Sequence, residues 1–334
     1  MVPKILATKF SVTNMNPSIP AISGDLASQT RVTSDECLTD PYIIHYPWIA
    51  AVASEEGDRV ELIECFDCIG GAMWVKKHYA KSPLVTSVRT VGSMNRYMLK
   101  TGVVDLNLEG SRFPAGISAV KISDSTIAIS YLGMGGGGVG ATICRATAAG
   151  VISSTYDESG GGKVAGSTLV LPRHSRVLIG VDDTDTPEQG ATWTLVHNIA
   201  QAVAGDPKST DPHRYLSHTI VQLFPVPFRT KNCVGVVAEF ASTNVQDLID
   251  RFRCLLQKYT LSEKTGMAVY LGFSPEELLP FGEKVKRGQV EPDEAGRLES
   301  KNLKIIMHGR GITGAIAAIP YYTRYDEALE LYGP

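Results

Sequence analysis

The chain has 334 residues, 43% of them hydrophobic, and a formal net charge of −3, which fits a folded protein of two domains or of one large domain with a lobe. The balanced charge excludes a general electrostatic footprint for nucleic acid and leaves a local basic patch open. No apolar run reaches the ~18 to 20 residues that cross a bilayer, and no basic flank precedes an apolar core at the N-terminus, so a cytoplasmic chain without membrane or signal segments is expected.

Residues 1–40, rich in Ser, Thr, Asn and Pro, read as a loose extension. From Tyr42 onward the pattern predicts a strand over Arg59 to Phe66, a short helix over Gly71 to Tyr79, and short strands around Val85, Tyr97, Val104 and Val120. Ser125 to Leu132 alternates as a strand and runs into the glycine-rich stretch Gly133 to Gly140, followed by a small-residue helix. A second cluster, Gly160-Gly161-Gly162-Lys163, reads as a flexible link. After Leu171 the pattern predicts a buried strand over Arg176 to Val181, a helix over Ala191 to Ala204, and strands over Ser217 to Leu223 and Cys233 to Phe240. Asp247 to Tyr259 has the apolar stripe of an amphipathic helix, and Leu303 to Met307 reads as a strand before Gly309-Arg310-Gly311-Ile312-Thr313-Gly314. The alternation predicts an α+β or α/β protein, mixed sheets with flanking helices, in an N-terminal domain over 41–170 and a nucleotide-binding domain over 171–334. Two G-A-x-W-x-x-x-H segments, from Gly71 and from Gly190, each follow an R-V strand; two related halves, with Trp74 and Trp193 buried at equivalent points, compete evenly with coincidence.

The strongest chemical signal is Val181-Asp182-Asp183-Thr184-Asp185-Thr186, three carboxylates crowded where a strand ends. A divalent cation relieves their repulsion, and magnesium takes one or two carboxylates plus phosphate oxygens. The competing reading is an exposed turn that caps the next helix. A haloacid dehalogenase phosphatase motif is rejected, because its fifth position is here Pro187. Arg229, Lys231 and Asn232, in a loop stiffened by Pro225 and Pro227, suit phosphate, as does Arg310. The glycines at 309 and 311 permit close approach to a nucleotide. Cys65 and Cys68 form a lone C-x-x-C without a second ligand pair, so buried reduced thiols are expected rather than structural zinc, with a redox pair as the sharper alternative.

Three motifs in order, Val181 to Asp185, Leu223 to Lys231 and Gly309 to Ile319, resemble the catalytic core of archaeal tRNA-isoleucine agmatinylcytidine synthetases, over residues 176–320. The stretches Phe66 to Tyr79, the glycine run and Gly180 to His197 are similar to the methanogenesis marker protein 11 family, over residues 41–332. The first resemblance implies an ATP- and magnesium-dependent enzyme, a transferase or ligase that activates an unidentified acceptor by phosphoryl or nucleotidyl transfer. Asp182, Asp183 and Asp185 would then be catalytic and metal-holding, with Thr184, Arg229, Lys231, Asn232, Gly309, Arg310 and Gly311 around ATP. The second implies a methanogenesis-associated process with a protein partner. The alternative is a non-catalytic assembly or maturation factor, for instance for methyl-coenzyme M reductase. No cysteine-rich zinc ribbon or nucleic-acid-binding barrel follows residue 320, which leaves tRNA doubtful as a partner.

Overall fold

The computed structural model describes residues 41–205, 212–230 and 232–332; the expected extension over 1–40 lies outside the described residues. β1 (Trp48–Ala53) and β2 (Arg59–Cys65) are joined by a turn in which Gly57 takes a φ of 73°. α1 (Ile69–Tyr79), β3 (Val85–Val91) and β4 (Met94–Lys100) follow, and the sheet runs β1-β2-β4-β3. A second sheet, in the order β5-β6-β7-β9-β8, contains β5 (Gly102–Val103), β6 (Ala115–Ile122), β7 (Thr126–Met134), β8 (Ser153–Tyr156) and β9 (Val164–Pro172). Between β7 and β8 lie two short helices, α2 (Gly136–Ala141) and α3 (Ile143–Ala146).

Much of the glycine run is therefore helical and closely packed. A Cβ at Gly133 would fall on the Gly137 carbonyl, and one at Gly137 would lie 2.8 Å from the Pro114 carbonyl oxygen. The missing side chains let α2 pack on the backbone of the sheet. Arg145 fixes the end of this run: its Nη1 donates to the Gly140 carbonyl at 2.5 Å and its Nε to Glu64 Oε1 at 2.7 Å.

The third sheet runs β11-β12-β10-β13-β14. Its members are β10 (Ser175–Asp182), β11 (His213–Gln222), β12 (Val234–Ser242), β13 (Gly266–Leu271) and β14 (Leu303–His308), with α4 (Thr192–Ala204) after β10 and α5 (Val245–Tyr259) after β12. The remaining helices are α6 (Leu279–Arg287), α7 (Pro292–Gly296), α8 (Ile312–Ala318) and α9 (Tyr325–Leu329). None of the helices in the described residues is long and apolar enough to cross a membrane.

The period-two alternation of β10 organises this sheet. Val177, Ile179 and Val181 pack with Val196, Ala200, Leu248 and Phe252 of α4 and α5. On the other face Leu178 packs under α6 and α8, and a Cβ at Gly180 would fall on the Ala315 carbonyl, so α8 lies directly on the strand backbone. All strand pairs within the three sheets are antiparallel, so the class is α+β, mixed sheet with flanking helices, rather than a parallel α/β sheet.

From Ile43 onward the chain is one compact unit. Val52 and Ile63 of the first sheet meet Leu216 and Ala241 of the third and Phe273, which follows β13. At this seam Arg96 donates to both oxygens of Glu61 at 2.9 and 2.8 Å, and to both of Glu239 at 2.7 and 2.6 Å. Arg176 completes the set, donating to Glu239 at 3.1 Å and also to Glu61. All four side chains are buried, so each desolvated charge is matched by partners rather than by water.

The two halves share a path. Strand, helix and hairpin follow in the order β2-α1-β3-β4 and again β10-α4-β11-β12, with the last strand beside the first in both. The tryptophans do not fit the expectation of burial: Trp74 is 50% and Trp193 45% exposed. Trp74 lies in the second turn of α1, whereas Trp193 is the second residue of α4. The matched letters thus fall at different depths in their helices, and only the topology repeats.

Candidate functional site

Five chain segments converge at the edge of the third sheet where β10 ends. Because its neighbours are antiparallel, that edge gathers the Asp182–Asp185 loop, the loop after β11, the start of β12, the turn before β13 and the Gly309–Gly311 turn after β14. A cavity of about 130 Å³ opens here, bounded by Asp182, Asp183, Asp185, Arg229 and Arg310 among others. A second cleft of about 370 Å³ shares Asp183, Asp185, Arg229 and Arg310 and adds Lys264. The Arg310 guanidinium lies 3.1 Å from the Phe228 ring centroid, and both groups line both clefts.

The acidic loop is held by its backbone. Asp182 Oδ1 accepts the Asp183 N–H at 2.7 Å. Asp183 has a φ of 56°, a left-handed conformation that Asp tolerates better than most residues, and its carbonyl accepts from Thr265 Oγ1 at 3.0 Å. The Asp182 carboxylate lies beneath α8, where a Cβ on Gly314 would overlap its Oδ2. Burial, reinforced by the charge of Asp183, raises the Asp182 carboxyl well above the usual carboxylate range. Asp183 is also raised, mainly by burial and further by Asp185, while Lys264 and Arg310 pull it back.

Not every expected residue arrives. Thr184 is a correction: it is buried, its Oγ1 donates to Thr192 Oγ1 at 3.0 Å, and it lines neither cleft. It anchors the loop to α4. Gly309 also lines neither cleft, because it is pressed on the Lys264 and Thr265 carbonyls. Gly311 and Asn232 do line the cavity. Lys231 lies outside the described residues. Among the described residues no group of three or more His, Cys, Asp or Glu side chains is placed to hold a metal ion, so the three aspartates do not form a cage. Asp182 is buried against Gly314, and Asp185 Oδ1 accepts from Thr230 Oγ1 at 3.2 Å.

Lining residues that the sequence reading did not assign to the site include Lys264 and Trp193. Lys264 stands in a polar turn with no spacing signature, and only the antiparallel entry of β13 brings it beside Asp183. The cysteines need correction too. Cys68 is exposed and caps α1, accepting the Gly71 N–H at 3.3 Å, and Cys65 is half-buried. A capping side chain must sit at the mouth of its helix, which keeps Cys68 out of the core.

Residues 178–249 match the family model of the TiaS TCKD domain. The uncharacterized protein MJ0921 of Methanocaldococcus jannaschii is 38% identical over 285 residues, covering 83% of this chain and 93% of the relative. Among solved structures, a complex of TiaS with tRNA and ATP is similar at 24% identity with a TM-score of 0.38, over 44% of this chain and 36% of that chain. A complex of TiaS with tRNA, AMPCPP and agmatine gives 24% and 0.36 over the same shares, and apo TiaS, a tRNA agmatidine synthetase, gives 23% and 0.37 over 43% and 35%. The chain thus spans about a third of those chains. The expectation that tRNA is a doubtful partner is corrected by the family match: residues 178–249 fit the TCKD domain of TiaS, a protein whose solved complexes contain tRNA.

Proposed function

We propose, of a chain that belongs to the family of the uncharacterized protein MJ0921, that it is an ATP- and magnesium-dependent enzyme that activates an RNA acceptor by phosphoryl or nucleotidyl transfer. The observation that carries this reading is the meeting of the Asp182–Asp185 loop with Arg229, Arg310 and Lys264 at one sheet edge, within and beside the segment that matches the TiaS TCKD domain. The RNA acceptor rests on that match alone. A methanogenesis-associated role rests on the sequence resemblance to marker protein 11.

The residues fit a magnesium ion that arrives with its own phosphates. Two carboxylates, Asp183 and Asp185, face both clefts, and hard cations of this size take few protein ligands beside phosphate and water. The metal would neutralise phosphate charge and orient the group to be transferred. Asp183 and Asp185 would hold it, with Asp182 supporting the loop from beneath α8. Arg310, Arg229 and Lys264 would bind phosphate oxygens, with Arg310 held in place by the Phe228 ring. Such transfer depends on positioning and charge stabilisation more than on covalent chemistry by the protein. Lys231 and Asn232 belong to the same proposed set; Asn232 lines the cavity.

Calorimetric titration with ATP, with and without magnesium, tests this. Binding is expected only with magnesium, and Asp183→Asn is expected to weaken it about tenfold or more while the far-ultraviolet circular dichroism is unchanged, since a charge-assisted contact contributes roughly 1.5–3 kcal/mol. Affinity that ignores both magnesium and Asp183→Asn would sink the proposal. Release of ADP or AMP on addition of tRNA transcripts then separates an enzyme from a nucleotide-binding scaffold.

A further inference from the structure

We propose that the outer face of α1 is a binding surface for an unpaired RNA strand, with Trp74 as a stacking platform and Lys77, Lys81 and Arg112 as its phosphate-binding flank. This rests on the reading of an RNA acceptor and adds a second place of contact in the N-terminal half.

α1 turns Ala72, Val75, His78 and Tyr79 into the core. A helix with one such face normally presents polar residues outward. Here the outward face carries Ile69, Met73 and Trp74, exposed by 63%, 50% and 50%. Trp74 is not loose. Its indole meets the buried His78 imidazole edge-on, with ring centroids 4.3 Å apart at 61°. The ring is thus supported from behind while half of it stays open to solvent.

The flank is cationic. Lys76, Lys77 and His78 occupy the last turn, and no Asp or Glu occurs anywhere in Ile69–Tyr79. Lys81 Nζ donates to the Arg112 carbonyl at 2.5 Å, which brings a second chain segment with an exposed guanidinium beside the helix end. Lys81 and Lys77 are close enough to His78 to depress its pKa, which burial already lowers. Opposing charges include Glu109, 3.1 Å from Arg112, and Asp67 ahead of the helix. Against them stand Lys76, Lys77, Lys81 and Arg112, an excess of positive charge at the C-terminal end of α1, about one turn from Trp74.

An aromatic platform with adjacent cations fits single-stranded nucleic acid, because every base has a face to stack and every nucleotide a phosphate to pair. A duplex keeps its bases stacked on one another and offers the indole no open face. Lysine is depleted at protein–protein interfaces, so the cationic flank favours RNA over a protein partner.

The test uses the full chain, a labelled oligouridylate and a tRNA transcript, with fluorescence anisotropy at several salt concentrations. Trp74→Ala is expected to weaken oligouridylate binding about tenfold, with Trp74→Phe retaining most of it. Lys77→Gln together with Lys81→Gln is expected to reduce the slope of log K against log salt by about 1.4. Magnesium-ATP titration of the same variants is expected to match the parent chain, so a failure here stays distinct from a failure at the cleft. No oligouridylate binding at low salt, or equal affinity of Trp74→Ala and the parent, overturns the proposal. So does a change in oligomeric state by sedimentation in Trp74→Ala with RNA affinity unchanged, which would make this face a contact between copies.

Discussion

Lys286 is buried in α6, and its Nζ donates to the carbonyls of Gln222 at 3.0 Å and Ala328 at 2.9 Å. It therefore ties the end of β11, where the loop of the cleft begins, to the C-terminal helix. Burial pulls its pKa down from 10.5 to about 8, with Glu330 and Glu327 opposing. The fold therefore binds fewer protons than the unfolded chain between those values, and this group makes stability rise as pH climbs from about 8 to 10.5. Lys286→Met is expected to remove that rise, measured as urea midpoints across the window. Of the residues that line the cleft, Asp182, Asp183, Asp185 and Arg310 stood out in the sequence as crowded charge and as a cation between glycines. Thr184 was misplaced because a threonine next to aspartates looks the same whether it faces a phosphate or, as here, the Thr192 hydroxyl.

At the scale of elements, the contact of α8 with the sheet rests on absent side chains. Gly180 faces the Ala315 carbonyl, Gly235 the Gly314 carbonyl and Gly266 the Ile312 amide. Gly180→Ala forces α8 off the strand and is expected to destabilise the protein by about 1–3 kcal/mol, the usual cost of overpacking, and to weaken nucleotide binding by moving Gly311 and Arg310. Unchanged urea unfolding would contradict this account. Helices with long apolar stripes, such as α5, were readable from periodicity. β1 and β13 were not, because both are covered on two faces and lose the alternation that marks a half-buried strand. The antiparallel order was equally illegible, since pairing partners lie far apart in sequence.

Across the whole molecule, the seam between the first and third sheets is the feature the sequence concealed most fully. Arg96 lies 35 residues from Glu61 and 143 from Glu239, and no local pattern links them. Arg96→Ala leaves buried carboxylates with fewer partners and is expected to cost about 3–5 kcal/mol in urea unfolding. Burial opposes ionisation of Glu239, but Arg96 and Arg176 outweigh it and hold its carboxyl below the ordinary 4.5. Its stabilising contribution is therefore complete above pH 4.5 and is lost as pH falls through the lower folded value. Arg96→Lys, which cannot fork onto two carboxylates, is expected to unfold at a higher pH than the parent during acid titration.

The four charges at this seam divide evenly. β2 and β4 bring Glu61 and Arg96, and β10 and β12 bring Arg176 and Glu239. Each half therefore presents one acid and one base on neighbouring strands and is neutral at the mating face before the other arrives. Cut between Pro172 and Ser175, outside any strand, neither fragment would strand an unmatched ion. Two such polypeptides, co-expressed, are expected to co-purify and recover magnesium-ATP binding, whereas a pair carrying Glu239→Arg is not, because it would set a third guanidinium against a single carboxylate. A chain assembled this way has the character of a tethered heterodimer, and its two βαββ units are free to drift apart in sequence so long as the handshake of acid and base is kept.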